Sequence, residues 1–219
     1  MEIKLESTYK GTRILLGYEA RKKRSLITKM MTTLENEGFE EIQIPILQLQ
    51  STYANKVGSD NQKMMYTLKD EGDRDLCLAP EYTAVVQQLS TSTLKPYKDC
   101  KMFYIAECFR GEKPQAGRFR QFTQLGVEII NPSKDYMQEL EFLAFRLCHE
   151  LDLSGSATLH AGLFKIHKGV ARGLDYYDQG VGFEIECEAL GAQKQVCGGG
   201  SYQGGIGFAI GIDRLLTIP

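Results

Sequence analysis

The stretch from Lys101 to Ile130, KMFYIAECFRGEKPQAGRFRQFTQLGVEII, constrains the fold more than any other part of the chain. Two strand-like runs flank the polar, Gly/Pro-bearing segment Gly111–Gly117, which predicts a hairpin with a long loop. Successive side chains of a strand point to opposite faces. On the second run, Phe119, Gln121, Thr123, Leu125, Val127 and Ile129 then form one mostly apolar face. The other face orders Arg118, Arg120, Phe122, Gln124, Gly126 and Glu128: two guanidiniums, a ring, an amide, a gap and a carboxylate. Charges are almost never buried unpaired, so this second face is not ordinary core. One reading is a solvent-facing sheet surface with a cross-strand ion pair. Arg110 and Glu112, where the loop begins, favour another. Guanidiniums grip phosphate bidentately, a ring offers a stacking plane for a purine, and a carboxylate further along reads an N–H-bearing group. The face is laid out as a nucleotide site followed by a small polar pocket.

The rest of the chain supplies the scaffold. Apolar residues Leu26, Ile27, Met30, Met31 and Leu34 recur at helical spacing, predicting a helix over 18–37 with Gly38 as its stop. The basic run Arg21–Arg24 within it reads as a solvated face. FEEIQIPIL follows as a short strand whose Pro45 suits an edge or a bulge. Tyr66–Leu68 and Leu76–Leu78 read as strands around a turn, residues 81–90 as a helix, and Met137 to Leu151 as a second long helix. Strands in runs with helices at the edges predict an α+β fold, one domain over residues 1–219. Lys and Arg total 26 against 28 Asp and Glu, a net charge of −2, which argues against non-specific coating of nucleic acid. Six cysteines form no C-x-x-C pair, and His149, His160 and His167 are scattered, so no metal site is spelled out. No uncharged run approaches the roughly 18 residues of a membrane span, and no signal peptide is present. The expectation is a cytoplasmic protein with reduced thiols and no membrane partner.

Phe109–Glu128 resembles motif 2 of class II aminoacyl-tRNA synthetases, in the form typical of the histidyl-tRNA synthetase family. Gly38–Leu47 resembles the helix-to-strand region of motif 1. Arg172-Gly173-Leu174-Asp175-Tyr176-Tyr177 is similar to the family's histidine-specific loop, and Gly207–Leu216 to motif 3, a glycine-rich strand leading into a helix that carries an Arg. Order and coverage, from about Gly11 to Leu216, match as well. The resemblance implies a class II antiparallel β-sheet flanked by helices. Only residues 129–171 separate Glu128 from Arg172, where the family usually inserts a helical domain, and Pro219 lies just past motif 3. The expectation is a bare catalytic core without the insertion and the anticodon-binding domain.

The family joins histidine to ATP, giving histidyl-adenylate and pyrophosphate. The resemblance implies Arg110, Arg172 and Arg214 as catalytic arginines. Arg110, Glu112, Arg118, Arg120, Phe122 and Arg214 would bind ATP, with magnesium carried on the phosphates and no protein metal cage. Glu81, Thr83 and Gln124 would take the α-ammonium of histidine. Glu128 and Tyr177 would hydrogen-bond its imidazole, Tyr176 would line the pocket, and Arg172 would approach the carboxylate. Gly198–Gly200 would admit backbone close to substrate, a tight turn or bulge being the other reading. Ala79, Tyr82, Ser201, Gln203 and Asp213 depart from the family pattern, the first two beside the ammonium site. A homodimer is implied. The acceptor is left open between tRNA-His and another molecule. Two further readings stand beside the enzyme: a non-catalytic histidine-sensing subunit of histidine biosynthesis, and an amino-acid ligase with a non-tRNA acceptor.

Overall fold

A computed structural model describes residues 8–54, 56–57, 62–115, 117–149, 163–170, 177–191 and 193–218, with backbone only over 177–181. Helix α1 spans Tyr18–Asn36 and buries Leu26, Met30 and Leu34, a stripe at i, i+4 and i+8. Each such side chain contributes roughly 1.5–3 kcal/mol of burial. The helix stops where expected. Gly38 adopts φ 79°, its N–H donates to Glu35 O at 3.0 Å, and Phe39 N–H donates to Leu34 O at 3.0 Å. That double closure needs a residue free of a Cβ in the left-handed region, and it brings Phe39 back onto the core beside Leu34.

The segment expected as one strand across Pro45 is split. Strand β1 (Glu40–Glu41) pairs in parallel with Met102 and Phe103, while β2 (Leu47–Leu49) belongs to a second sheet. Pro45 has no N–H to continue a ladder, so it falls in the link between the two. The second sheet has three strands in the order β2-β4-β3, with β3 over Thr67–Lys69 and β4 over Asp75–Leu78. Helix α2 (Thr83–Thr91) follows it.

The hairpin forms as β5 (Cys100–Phe109) and β6 (Gln121–Ile130). Helix α3 (Met137–His149) comes next, then β7 (Phe164–Lys168), β8 (Tyr177–Cys187), β9 (Gln195–Tyr202), β10 (Gly205–Gly211) and the short helix α4 (Ile212–Leu215). The main sheet has the order β1-β5-β6-β10-β9-β8-β7 and is antiparallel except at β1. This is the expected α+β architecture. Gly198–Gly200 is a buried segment of strand, neither turn nor bulge. A Cβ on Gly199 would meet Gly207 O and the Phe208 Cβ, both at 2.6 Å, and the Phe183 ring at 2.8 Å, so the glycine is what lets β10 and the Phe183 ring come this close.

One face of the sheet packs on α1 and α3, through residues such as Phe103, Leu125, Val127, Leu140, Leu147 and Phe208. The other face carries a smaller core with α2 and the three-stranded sheet, including Tyr53, Cys77, Tyr82, Val86 and Tyr104. Strand β6 is therefore buried on both sides. Among the described residues no helix is long and apolar enough to cross a membrane.

Candidate functional site

A cavity of about 250 Å³ opens on the second face of the sheet, over β6, β9 and β10. Eight of the sequence-predicted residues line it: Glu81, Thr83, Arg110, Glu112, Arg118, Phe122, Gln124 and Arg214. Arg172 and Tyr176 lie outside the described residues, and of Tyr177 only the backbone, at the start of β8, is described.

The cationic end of the cavity rests on backbone carbonyls. Arg110 Nε donates to Pro80 O at 2.8 Å and its guanidinium lies 5.2 Å from the Phe122 ring centre. Arg214 donates through Nε to Gly117 O at 3.3 Å and through Nη1 to Gln195 O at 2.5 Å. Arg118 donates to Glu112, which is buried. Burial, and then the charges of Arg118 and Arg110, hold the Arg214 pKa below its ordinary value. Like charges brought this close in a half-buried cleft make a ready site for a polyanion.

Arg120 is turned away. Its Nε donates to Glu112 O at 3.0 Å, its Nη1 to Lys10 O at 3.2 Å, and the ring of Tyr9 lies 5.0 Å from it. The alternation holds from Phe122 onward but not at Arg118–Arg120, because β6 begins only at Gln121 and the loop before it follows no two-residue period. Phe119, placed on the apolar face by that period, lines the cavity instead.

At the other end Glu81 and Thr83 form the wall of the cavity, and Glu128 lies behind Thr83, outside the lining residues. Glu128 is 1% exposed and forms no solvent-facing ion pair, which excludes the surface reading. It accepts from Thr83 Oγ1 at 3.0 Å and from Tyr202 Oη at 2.8 Å. Burial above all, opposed by those two hydrogen bonds and helped by the nearby Glu81 charge, pushes its pKa up to about 8. Two glycines of β10 make room for the pair. A Cβ at Gly207 would land on the Glu128 carboxylate, and one at Gly205 on the Tyr202 ring. Glu81 is buried at the start of α2, where Ala84 N–H donates to its Oε1 at 3.1 Å. Gln124 accepts from Cys108 Sγ at 3.1 Å.

Tyr202 was not among the residues expected at the site. Its signal was the S-Y-Q after Gly200, which a strand reading of β9 sets on the same face as Gly198 and Gly200. Lys23, read as part of a solvated run, also turns inward. Its Nζ donates to Thr123 Oγ1 and lies 3.7 Å from Glu107 and 3.5 Å from Asp213. Asp213 accepts from Thr123 N–H at 2.5 Å and from Arg13 Nη2 at 2.5 Å. Among the described residues no group of three or more His, Cys, Asp or Glu could hold a metal ion.

The chain has known counterparts. The histidine–tRNA ligase of Methanosarcina acetivorans is 30% identical to 95% of this chain, which covers 74% of that protein. The alignment runs over 308 positions, so about a hundred positions of that relative have no counterpart in the 219 residues. Among solved structures, the apo histidyl-tRNA synthetase of S. aureus is 26% identical with a TM-score of 0.73, over 96% of this chain and 69% of that one. An ATP phosphoribosyltransferase regulatory subunit/histidyl-tRNA synthetase from Bacillus halodurans shares the fold at 17% identity, with a TM-score of 0.76 over 100% of this chain and 84% of that one. The family model described as histidyl-tRNA synthetase matches residues 11–176, and the chain belongs to that family.

Proposed function

We propose that the protein activates histidine with ATP. An oxygen of the histidine carboxylate attacks the α-phosphorus, the bond from that phosphorus to the bridging oxygen breaks, and pyrophosphate leaves with the electron pair. The product is histidyl-adenylate. What carries the reading is one cavity with the guanidiniums of Arg110, Arg118 and Arg214 at one end and the buried Glu81 and Thr83 at the other, with Glu128 bonded behind Thr83. Two anions must meet at phosphorus, so the work is neutralising and aligning charge.

In this reading Arg110 takes the α-phosphate, and Arg118 and Arg214 take the β- and γ-phosphates. Phe122 stacks under adenine and Glu112 meets its edge. Arg172 approaches the carboxylate. Glu81, Thr83 and Gln124 receive the α-ammonium, while Glu128 and Tyr177 read the imidazole beside Tyr176. Arg120, bonded to Glu112 O and Lys10 O, serves by holding the loop. ATP would enter as its magnesium complex. The carboxylates at the cationic end fit a phosphate-held metal, since Glu112 is already engaged by Arg118 and Asp213 by Arg13.

The test is pyrophosphate–ATP exchange across the twenty amino acids. Exchange with histidine alone supports the assignment, and exchange with another amino acid only would keep the reaction and refute histidine. An assay with total tRNA then asks whether tRNA-His or another acceptor takes the product.

A second reading is a histidine sensor without catalysis. It is favoured by the likeness in fold to the Bacillus halodurans protein, which is named a regulatory subunit as well as a synthetase. Histidine binding with no ATP binding would establish it. The converging arginines of the cationic end speak for the enzyme. The reading carries with it a cytoplasmic location and a homodimer formed through the motif 1 region. Ile46, Leu47, Leu49 and Leu68, each 43–50% exposed, offer an apolar surface there. Sedimentation at micromolar concentration checks the dimer.

A further inference from the structure

The segment from Tyr9 to Arg13 runs beneath the β5–β6 loop and is bonded to it throughout. Gly11 O accepts from Arg120 N–H at 2.7 Å, and Lys10 O from Arg120 Nη1 at 3.2 Å. Gly11 adopts φ 93°, and a Cβ there would meet Pro114 at 2.8 Å and Arg120 at 2.9 Å, so the two strands of chain touch without a side chain between them. The segment ends at Arg13, which makes two contacts at once. Its Nη2 donates to Asp213 Oδ1 at 2.5 Å, and its guanidinium carbon lies 3.7 Å over the centre of the Phe119 ring. Phe119 and Asp213 both line the cavity, one on the β5–β6 loop and one at the β10–α4 junction next to Arg214.

This is more than a surface ion pair, whose contribution is commonly small. The Asp213 side chain is only 6% exposed, Arg13 is 31% exposed, and the carboxylate's second oxygen is fixed by Thr123 N–H. Lys23, 3.5 Å away, holds the same carboxylate from α1. Asp213, at the start of α4, is thus tied to β6 and to α1, and Arg13 carries that tie on to the loop by stacking on Phe119. A planar guanidinium can satisfy a carboxylate with its edge and a ring with its face simultaneously, which an ammonium cannot.

From this geometry we infer that Arg13 is a positioning residue that clamps the β5–β6 loop to the β10–α4 turn and so sets the nucleotide end of the cavity in its binding form. The clamp itself stands on the contacts above. Its effect on ATP rests on the proposed function, and the two are separable by experiment.

The variants are Arg13→Ala, Arg13→Lys and Phe119→Leu, the last leaving the ion pair with Asp213 in place. Hydrogen exchange is read at Gln115 and Arg118, whose amides pair across the loop, and at Arg120. Kinetics are read as KM for ATP against kcat, with histidine binding measured separately. For Arg13→Ala, exchange at those amides rises ~10-fold or more while the β6 core is unchanged, as expected when a locally held loop is released. KM for ATP rises ~5- to 20-fold with kcat and histidine affinity within ~3-fold, the scale of a lost cation–ring and ion-pair contact. Phe119→Leu loosens the loop alike, Arg13→Lys falls between, and the double variant is no worse than Arg13→Ala. Unchanged loop exchange in Arg13→Ala overturns the clamp. A uniform rise across the core, or a fall in kcat with KM unmoved, overturns the positioning role in favour of a purely structural one. A wild-type protein that binds no ATP but still loosens at the loop in Arg13→Ala overturns the nucleotide reading and supports the clamp.

Discussion

The two ends of the cavity are built on different principles. Behind the acidic end stand regular strands, with Glu128 on β6 and Tyr202 on β9, and that carboxylate is satisfied by the hydroxyls of Thr83 and Tyr202 before any ligand arrives. The cationic end is drawn from loops and turns, with Arg110, Arg118 and Arg214 at or beyond strand ends and tied mainly to backbone carbonyls. The first end is rigid and poised for a small polar group. The second gathers three guanidiniums, of which Glu112 already pairs Arg118, and the excess positive charge suits an incoming polyanion. In the proposed function, selectivity would belong to the sheet and the chemistry to its rim.

Breaking the rim should have the largest effect. Arg214→Ala removes a guanidinium aimed into the cavity and should lower pyrophosphate exchange by ~10²–10³, with histidine affinity within about threefold. Calorimetric titration with histidine supplies the second number, and a parallel loss there would erase the division between the ends. On the sheet, Gly207→Ala forces a Cβ onto the Glu128 carboxylate. It should cost about 1–3 kcal/mol in chemical denaturation and abolish detectable histidine binding. Glu128→Gln should weaken histidine ~10- to 100-fold, the scale of hydrogen bonds to a charged group, with ATP affinity untouched.

Acidity gives a finer test. Glu128 binds its proton more tightly folded, at about 8, than its ordinary carboxyl value of 4.5. The folded state then holds more protons than the unfolded one between those values. Its stability therefore declines as pH rises from about 4.5 to about 8 and levels beyond. Glu128→Gln should flatten that slope in urea titrations, and an unaltered slope would assign it to other groups. Phe122→Leu should have the smallest effect, raising KM for ATP ~3- to 10-fold through a lost stacking plane.

Much of this division was legible in the residues. The stripe of α1, its stop at Gly38 and the period of β6 from Phe122 to Glu128 followed from local spacing, because helix and strand periods hold wherever the element is regular. Three features were not legible for the complementary reason. Arg120 sits before the strand starts, where no period applies. The glycines of β9 carry turn chemistry locally, and only the close approach of Gly207 O, the Phe208 Cβ and the Phe183 ring to Gly199, all from other segments, makes a strand of them. Lys23 reads as solvated until Thr123, Glu107 and Asp213 arrive from elsewhere in the chain.

The pairing of β6 with β10 has a consequence for the life of the chain before it is finished. Glu128 stands opposite Gly207, and the floor of the cavity exists only once Gly205–Gly211 has zipped against residues synthesised some eighty positions earlier. Such long-range closure is slow compared with helix formation. A nascent chain that has emerged only as far as α3 has its guanidinium loop but no ligand-binding cavity. In the proposed function, histidine and ATP bind the closed sheet alone; they should then speed neither the early helices nor the hairpin, but should hold the last two strands in place once they arrive.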